Sequence, residues 1–292
     1  MRRLLALLLC LVAAPALASP SQILRSAEAP SLALGHPLGF ALYLPPDYDQ
    51  GHDKLPVVYL LHGAEATALD WVDQGHIQAI ADKLIASHRL PPVIIVMPDG
   101  GPNSWYMDAP TDGSGNVATA IEQDLPAYVE RTWRARSDRR GRAIAGYSMG
   151  GYGALRFALM APDRYGAAAA MSGAFWTQVK PDTQFDDRIQ RIFQGAFGRP
   201  FDAHRFVAAS PMTLAGAMHR EGPVPAIYLT CGRQDRYHLD REQAIMARRL
   251  AAMKIPVETA LTDGDHDWDT WSNALPAVLQ FLARSFAAPP KR

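Results

Sequence analysis

The chain has 292 residues, 48% of them apolar and 20% charged, which is enough apolar material for a large core. Lys+Arg and Asp+Glu balance at 29 each, so no net field points to nucleic acid or to an anionic membrane surface. No apolar run is long enough to span a bilayer.

Residues 1–18 read as a signal peptide. Arg2 and Arg3 form a positive start, Leu4 to Ala14 an apolar stretch, and Ala16-Leu17-Ala18 a small-x-small cleavage site before Ser19. The expected location is secreted or periplasmic, with residues 19–292 forming one domain. Cys10 would leave with the leader, so Cys231 would have no partner for an intramolecular disulfide and reads as a small core residue.

After a proline-spotted start, Leu38–Leu44 reads as a strand. Residues 56–61 and 93–97 are continuous β-branched and apolar runs, the pattern of strands buried on both faces. His76 to His88 has helical periodicity, as does Ala118 to Trp133, where Pro126 should bend or interrupt the helix. Residues 142–145 predict a buried strand, Tyr152 to Met160 a helix and Gly166 to Met171 a strand. Residues 174–222 break this rhythm and read as an insertion, with one short helix around Asp186 to Phe197 and a Pro/Gly-rich loop. Strand 226–231, helix Arg241 to Met253, strand Val257 to Leu261 and helix Trp268 to Phe286 complete the pattern. Alternation of this kind predicts an α/β fold with a mostly parallel central sheet and helices on both faces.

Gly146-Tyr147-Ser148-Met149-Gly150-Gly151 matches G-x-S-x-G between a predicted strand and a predicted helix, the context of a nucleophile elbow. The glycines belong where strand and helix come closest, and Ser148 lies at a helix N-terminus that favours a developing oxyanion. The partners of such a serine follow it in the order acid, then histidine. Asp235 lies just past strand 226–231, and His266 lies on the loop after strand 257–261. Both positions are on the rim where ligands bind in open parallel sheets. Among the rivals, Asp240 reads as the N-cap of the next helix and Asp267 and Asp269 as caps of the last one. Asp263 and Asp265 follow the wrong strand, and His238 precedes the last strand. His62, His76 and His88 all precede the serine. The acids around His266 come from one loop, which makes a metal site unexpected. The oxyanion donors are expected to be the amides of Met149 and of Ala64, with Gly63 allowing the turn. Glu65 should point away from them, toward an arginine.

Four stretches carry a resemblance to a known family: Leu60-Leu61-His62-Gly63, Met97-Pro98-Asp99-Gly100-Gly101 with Trp105-Tyr106, the Gly146–Ala154 elbow, and His266-Asp267-Trp268 with Trp271. Over residues 38–284 the chain resembles the "Putative esterase" family, which includes esterase D (S-formylglutathione hydrolase), feruloyl and acetyl-xylan esterases, enterochelin-type esterases and mycolyltransferases. The resemblance implies an α/β-hydrolase fold with a small cap insertion, and acyl-enzyme chemistry on esters or thioesters without a cofactor. Asp99, Trp105, Tyr106 and Trp268 are then expected to bind substrate, or else to be a loop acid and packed aromatics. Phe175, Trp176, Phe193, Phe197 and Phe206 in the insertion suit an acyl or aryl group, or plain packing. The first expectation is a secreted serine esterase acting on a small-molecule ester. An acyltransferase on the same machinery, a serine peptidase and a non-catalytic binding protein of this fold are the alternatives. Natural substrate and oligomeric state stay open.

Overall fold

The computed structural model describes residues 19–109, 115–193, 195–218 and 222–286. The leader expected at 1–18 lies outside them. Eight strands form one sheet: β1 Gln22–Ala29, β2 Leu38–Leu44, β3 Val57–Leu61, β4 Ile94–Pro98, β5 Arg142–Tyr147, β6 Ala167–Met171, β7 Ala226–Gly232 and β8 Val257–Thr262. Their order across the sheet is β1-β2-β4-β3-β5-β6-β7-β8. β1 and β2 run antiparallel at one edge, and every pair from β4 to β8 is parallel. The fold is the mostly parallel α/β class predicted from the alternation.

The central strands are apolar throughout because both of their faces are covered. Val57, Tyr59, Leu61 and Ile144 pack on one side, and Val58, Leu60, Ala143 and Ala145 on the other. The first side is covered by helices α2 Leu125–Thr132, α3 Met149–Met160 and α7 Leu239–Ala252. The second is covered by α1 Ile77–Ala86 and α8 Trp268–Ala283. β6 is Ala-Ala-Ala-Ala-Met, and its small side chains leave room for helices close on both faces.

Four expectations need correction. The proline-spotted start contains β1, an edge strand whose exposed, polar side chains hide its periodicity. The helix expected over Ala118–Trp133 is interrupted, as expected from Pro126, but the break lies ahead of the proline: a turn at Val117–Thr119, a π-helical turn at Ala120–Asp124, and then α2. Pro126 is the cause. It has no N–H to give the Glu122 carbonyl, and the Arg164 guanidinium donates to that carbonyl instead. Among its described residues the insertion holds three helices rather than one, α4 Asp187–Phe193, α5 Ala203–Ala209 and α6 Pro211–Ala217. Asp202 caps α5 through the Arg205 N–H, and Ser210 caps α6 through the Thr213 N–H, ahead of Pro211. Finally, Asp240 is not an N-cap. α7 begins at Leu239, with His238 at the cap position in a left-handed conformation, φ 56°. The amide of Leu239 is taken instead by the Asp235 carboxylate.

The π turn buries Glu122 beneath the sheet, with its Oε1 lacking a partner among the described residues. Burial pushes its carboxyl up to about 7, and Arg164 and Arg156 only partly offset that. A carboxyl whose folded pKa is raised stabilises the fold most below its unfolded value, and that contribution is lost as pH rises toward 7. Glu122→Gln should therefore melt higher than wild type at pH 8 and show little difference at pH 4. Equal melting shifts at the two pH values would contradict this.

Candidate active site

Ser148 sits between β5 and α3 with φ 52° and ψ −117°, a region costing on the order of 1–3 kcal/mol for a residue with a side chain. Three backbone bonds hold it. Its N–H donates to Met171 O (2.9 Å), and its carbonyl accepts from Tyr152 N (3.1 Å) and Ala174 N (3.1 Å). The flanking glycines are required by space. A Cβ on Gly146 would lie 2.4 Å from Gly150 O, and one on Gly150 would lie 2.4 Å from Leu61 O.

Ser148, Asp235 and His266 come from the C-terminal ends of β5, β7 and β8 and meet in a line. His266 Nε2 lies 3.1 Å from Ser148 Oγ, and His266 Nδ1 lies 2.9 Å from Asp235 Oδ2. Asp235 is buried, and its other oxygen accepts from the amides of Tyr237 (3.0 Å) and Leu239 (3.4 Å). Burial alone would push this carboxyl up. The His266 contact and the two amides outweigh burial and hold it below the usual carboxylate range. A carboxylate at Oδ2 requires the hydrogen on Nδ1, which leaves Nε2 free to accept from the serine hydroxyl.

Further contacts hold His266 in place. Its amide donates to Asp265 Oδ1 (2.7 Å), and Tyr237 and Trp271 each stand edge-on to it at 4.9 Å. Asp267 caps α8 through Thr270 N, as read from the sequence. Trp271 is anchored by its indole N–H on Ser172 Oγ (3.3 Å). Cys231 is buried with its sulfur 3.5 Å from Asp235 Oδ2, and burial pushes its thiol up to about 12. It therefore stays a neutral thiol and is no nucleophile at neutral pH.

The Gly63-Ala64 turn follows β3, beside the elbow. Gly63 faces the Tyr147 ring, where a Cβ would lie 2.3 Å from a ring carbon. Met149 is the first residue of α3, so its N–H has no acceptor one turn earlier in the helix. His62, given no role from sequence, is fully buried behind this turn. Its Nε2 accepts from Gly100 N (3.0 Å), so its Nδ1 carries the hydrogen and donates to Gly63 O (2.8 Å). That carbonyl belongs to the same peptide unit as the Ala64 N–H. The Glu65 N–H donates to Pro102 O (2.6 Å), fixing the next peptide as well. Adjacency to Gly63 was the available signal for His62. The Glu65 side chain is exposed, but no arginine pairs with it among the described residues.

The residues expected to contact substrate divide differently. Trp105 and Tyr106 are 2% and 0% exposed, so the packed-aromatic alternative describes them in this structure. Trp105 donates to Ile192 O, and the Tyr106 hydroxyl donates to His62 O (2.8 Å). Trp268 packs edge-on against Trp71, Tyr147 and Trp271, bracing the start of α8. Asp99 is half exposed and borders a cavity of about 550 Å³ with Leu34, Asn103 and Arg199. In the insertion, Phe175, Phe193, Phe197 and Phe206 are buried and Trp176 alone of the named five is partly open. Among the described residues no group of three or more His, Cys, Asp or Glu could hold a metal ion, and no helix is long and apolar enough to cross a membrane.

The chain is similar to several known proteins. An esterase of Mycobacterium tuberculosis is 35% identical over 143 residues, 48% of this chain but 30% of the relative, so the chain covers under a third of that protein. An acetyl esterase of Caldicellulosiruptor saccharolyticus is 24% identical over 240 residues, 81% of this chain and 86% of the relative. Among solved structures, a ferulic acid esterase superposes with a TM-score of 0.77 at 27% identity, covering 92% of this chain and 100% of that one. An S-formylglutathione hydrolase from Staphylococcus aureus shares the fold, with a TM-score of 0.69 at 21% identity over 91% of this chain and all of its own. The model of the "Putative esterase" family matches residues 31–282, and the chain belongs to that family.

Proposed function

We propose that the protein is a secreted serine esterase that hydrolyses carboxylic esters or thioesters through an acyl-enzyme. The observation that carries this reading is the unbroken line Ser148 Oγ, His266 and Asp235 at 3.1 and 2.9 Å, ending on a serine in the elbow conformation. Ser148 Oγ attacks the ester carbonyl while His266 Nε2 takes its proton. The carbonyl oxygen becomes an oxyanion facing the Ala64 and Met149 amides. Collapse expels the alcohol, which leaves with the proton from His266. Water, deprotonated by the same nitrogen, then releases the acid and restores Ser148. Asp235 keeps its charge throughout, holding the tautomer and stabilising the imidazolium.

His62 is a positioning residue in this scheme. Its bond to Gly63 O sets the plane of the peptide that carries the Ala64 N–H. His62→Leu should therefore lower kcat with little change in KM, by up to about a hundredfold, since a poorly aimed oxyanion donor is felt in the transition state. A change confined to KM would assign His62 to substrate binding instead.

Kinetics on p-nitrophenyl acetate and longer acyl esters test the reading itself. Ser148→Ala and His266→Ala should each lose about 10⁴-fold or more in kcat, with no further loss in the double variant. Asp235→Asn should lose about 10⁴-fold, because the neutral amide permits the wrong imidazole tautomer. Free acid should be the main product in water. Full activity in Ser148→Ala would sink the proposal. Export is tested separately: the mature protein in the envelope or medium should begin at Ser19.

The lowered carboxyl of Asp235 has a stability consequence. A depressed folded pKa contributes stability above the unfolded value near 4, and that contribution disappears as pH falls through the folded value. Urea midpoints of wild type should drop more steeply between pH 5 and pH 3 than those of Asp235→Asn. Parallel curves would show that Asp235 carries no such linkage.

A further inference from the structure

Among the described residues the largely exposed large apolar and aromatic side chains are Leu32, Met160, Ile192, Tyr237 and Leu261. Of these, Tyr237 alone has a ring contact with the Ser148–His266–Asp235 line. Tyr237 is 64% exposed, and its ring stands edge-on to the His266 imidazole, with centroids 4.9 Å apart at 87°.

The loop that carries it is tightly held. The Tyr237 N–H donates to Asp235 Oδ1 (3.0 Å) and the His238 N–H to Asp235 O (2.8 Å). Arg236 is tied to Asp265 through its amide (2.7 Å) and its Nε (2.9 Å). The same Asp235 that orients His266 thus also places Tyr237, so an aromatic ring is presented to solvent at a fixed position beside the imidazole. Such a placement costs little further ordering when a ligand arrives.

The chemistry identifies which half of an ester would meet this ring. Resting on the esterase reading above, His266 Nε2 must come within hydrogen-bond reach of the alcohol oxygen to return the proton. Nε2 faces Ser148 and Nδ1 faces Asp235, so the alcohol half of a bound ester must lie next to this ring, whose aromatic neighbours are Tyr237 and Trp271. The other aromatic neighbour, Trp271, is buried. Tyr237 is the neighbour that substrate can reach.

We propose that Tyr237 forms a leaving-group subsite that selects esters whose alcohol half carries a ring, either an aryl group or a sugar ring, packed against its exposed aromatic surface. The ring rather than the hydroxyl makes the contact, so Tyr237→Phe retains the preference.

The test is kcat/KM for three acetate esters, of ethanol, of benzyl alcohol and of the primary hydroxyl of methyl glucoside. Each is measured on wild type, Tyr237→Ala and Tyr237→Phe, and variant-to-wild-type ratios cancel the intrinsic reactivity of each ester. For Tyr237→Ala the ratio should fall about five- to tenfold further for at least one ring-bearing ester than for ethyl acetate, mainly through KM. A selective loss with the benzyl ester assigns the subsite to aryl alcohols, and one with the glucoside assigns it to sugars. Equal ratios for all three esters overturn the proposal, whether they stay near one or fall together as they would if Tyr237 merely propped His266. Ester hydrolysis by wild type that does not depend on Ser148 sinks the esterase reading itself, a separate outcome from unmoved ratios.

Discussion

The rim of this molecule depends on one bent residue. Ser148 occupies φ 52° and ψ −117°, where its own side chain is disfavoured, and it is held there because β3, β5 and α3 meet with no space between them. A methyl group on Gly146 or Gly150 would collide with backbone carbonyls at 2.4 Å. This crowding does three things together. It turns the hydroxyl out of the sheet, starts α3 immediately after the serine, and packs the start of α3 against the Leu61 and His62 carbonyls at the end of β3. Strain stored in the elbow is offset by the bonds to Met171, Tyr152 and Ala174 and by the packed core on either side.

The electrostatics form a graded chain from core to solvent. Asp235 is a buried carboxylate that remains charged because an imidazole and two amides satisfy it. Cys231, 3.5 Å away, remains neutral, so no second negative charge competes for the histidine. His266 then links this buried charge to a hydroxyl at the surface. Behind the Gly63-Ala64 turn, His62 bridges two loops. It accepts from one loop and donates to the other, which welds the segment after β3 to the segment after β4.

Much of this was legible in the chain because the relevant signals are local. Continuous apolar runs marked the buried strands, and Gly-x-Ser-x-Gly between a strand and a helix marked the elbow. Chain order then placed Asp235 and His266 on neighbouring loops. What escaped notice depends on tertiary context. β1 is half exposed, so its pattern carries no apolar face strong enough to read. The π turn follows from the loss of one N–H at Pro126 and its replacement by Arg164, distant in sequence. The capping signals of α5 and α6 were present as Asp202 and Ser210-Pro211 but were masked by the prolines and glycines around them. Trp105 and Tyr106 show the limit of motif reasoning. The family resemblance implied contact with substrate or else plain packing, and Gly100 and Gly153 leave space that the Tyr106 ring fills, making it part of the scaffold.

The central claim is that one serine becomes covalently acylated. The most direct measurement is reaction of the folded protein with a fluorophosphonate, followed by intact-mass analysis and mapping of the modified peptide. The account predicts one adduct per chain on Ser148, absent in Ser148→Ala and greatly slowed in His266→Ala. Labelling at another residue, or equal labelling of Ser148→Ala, would contradict it.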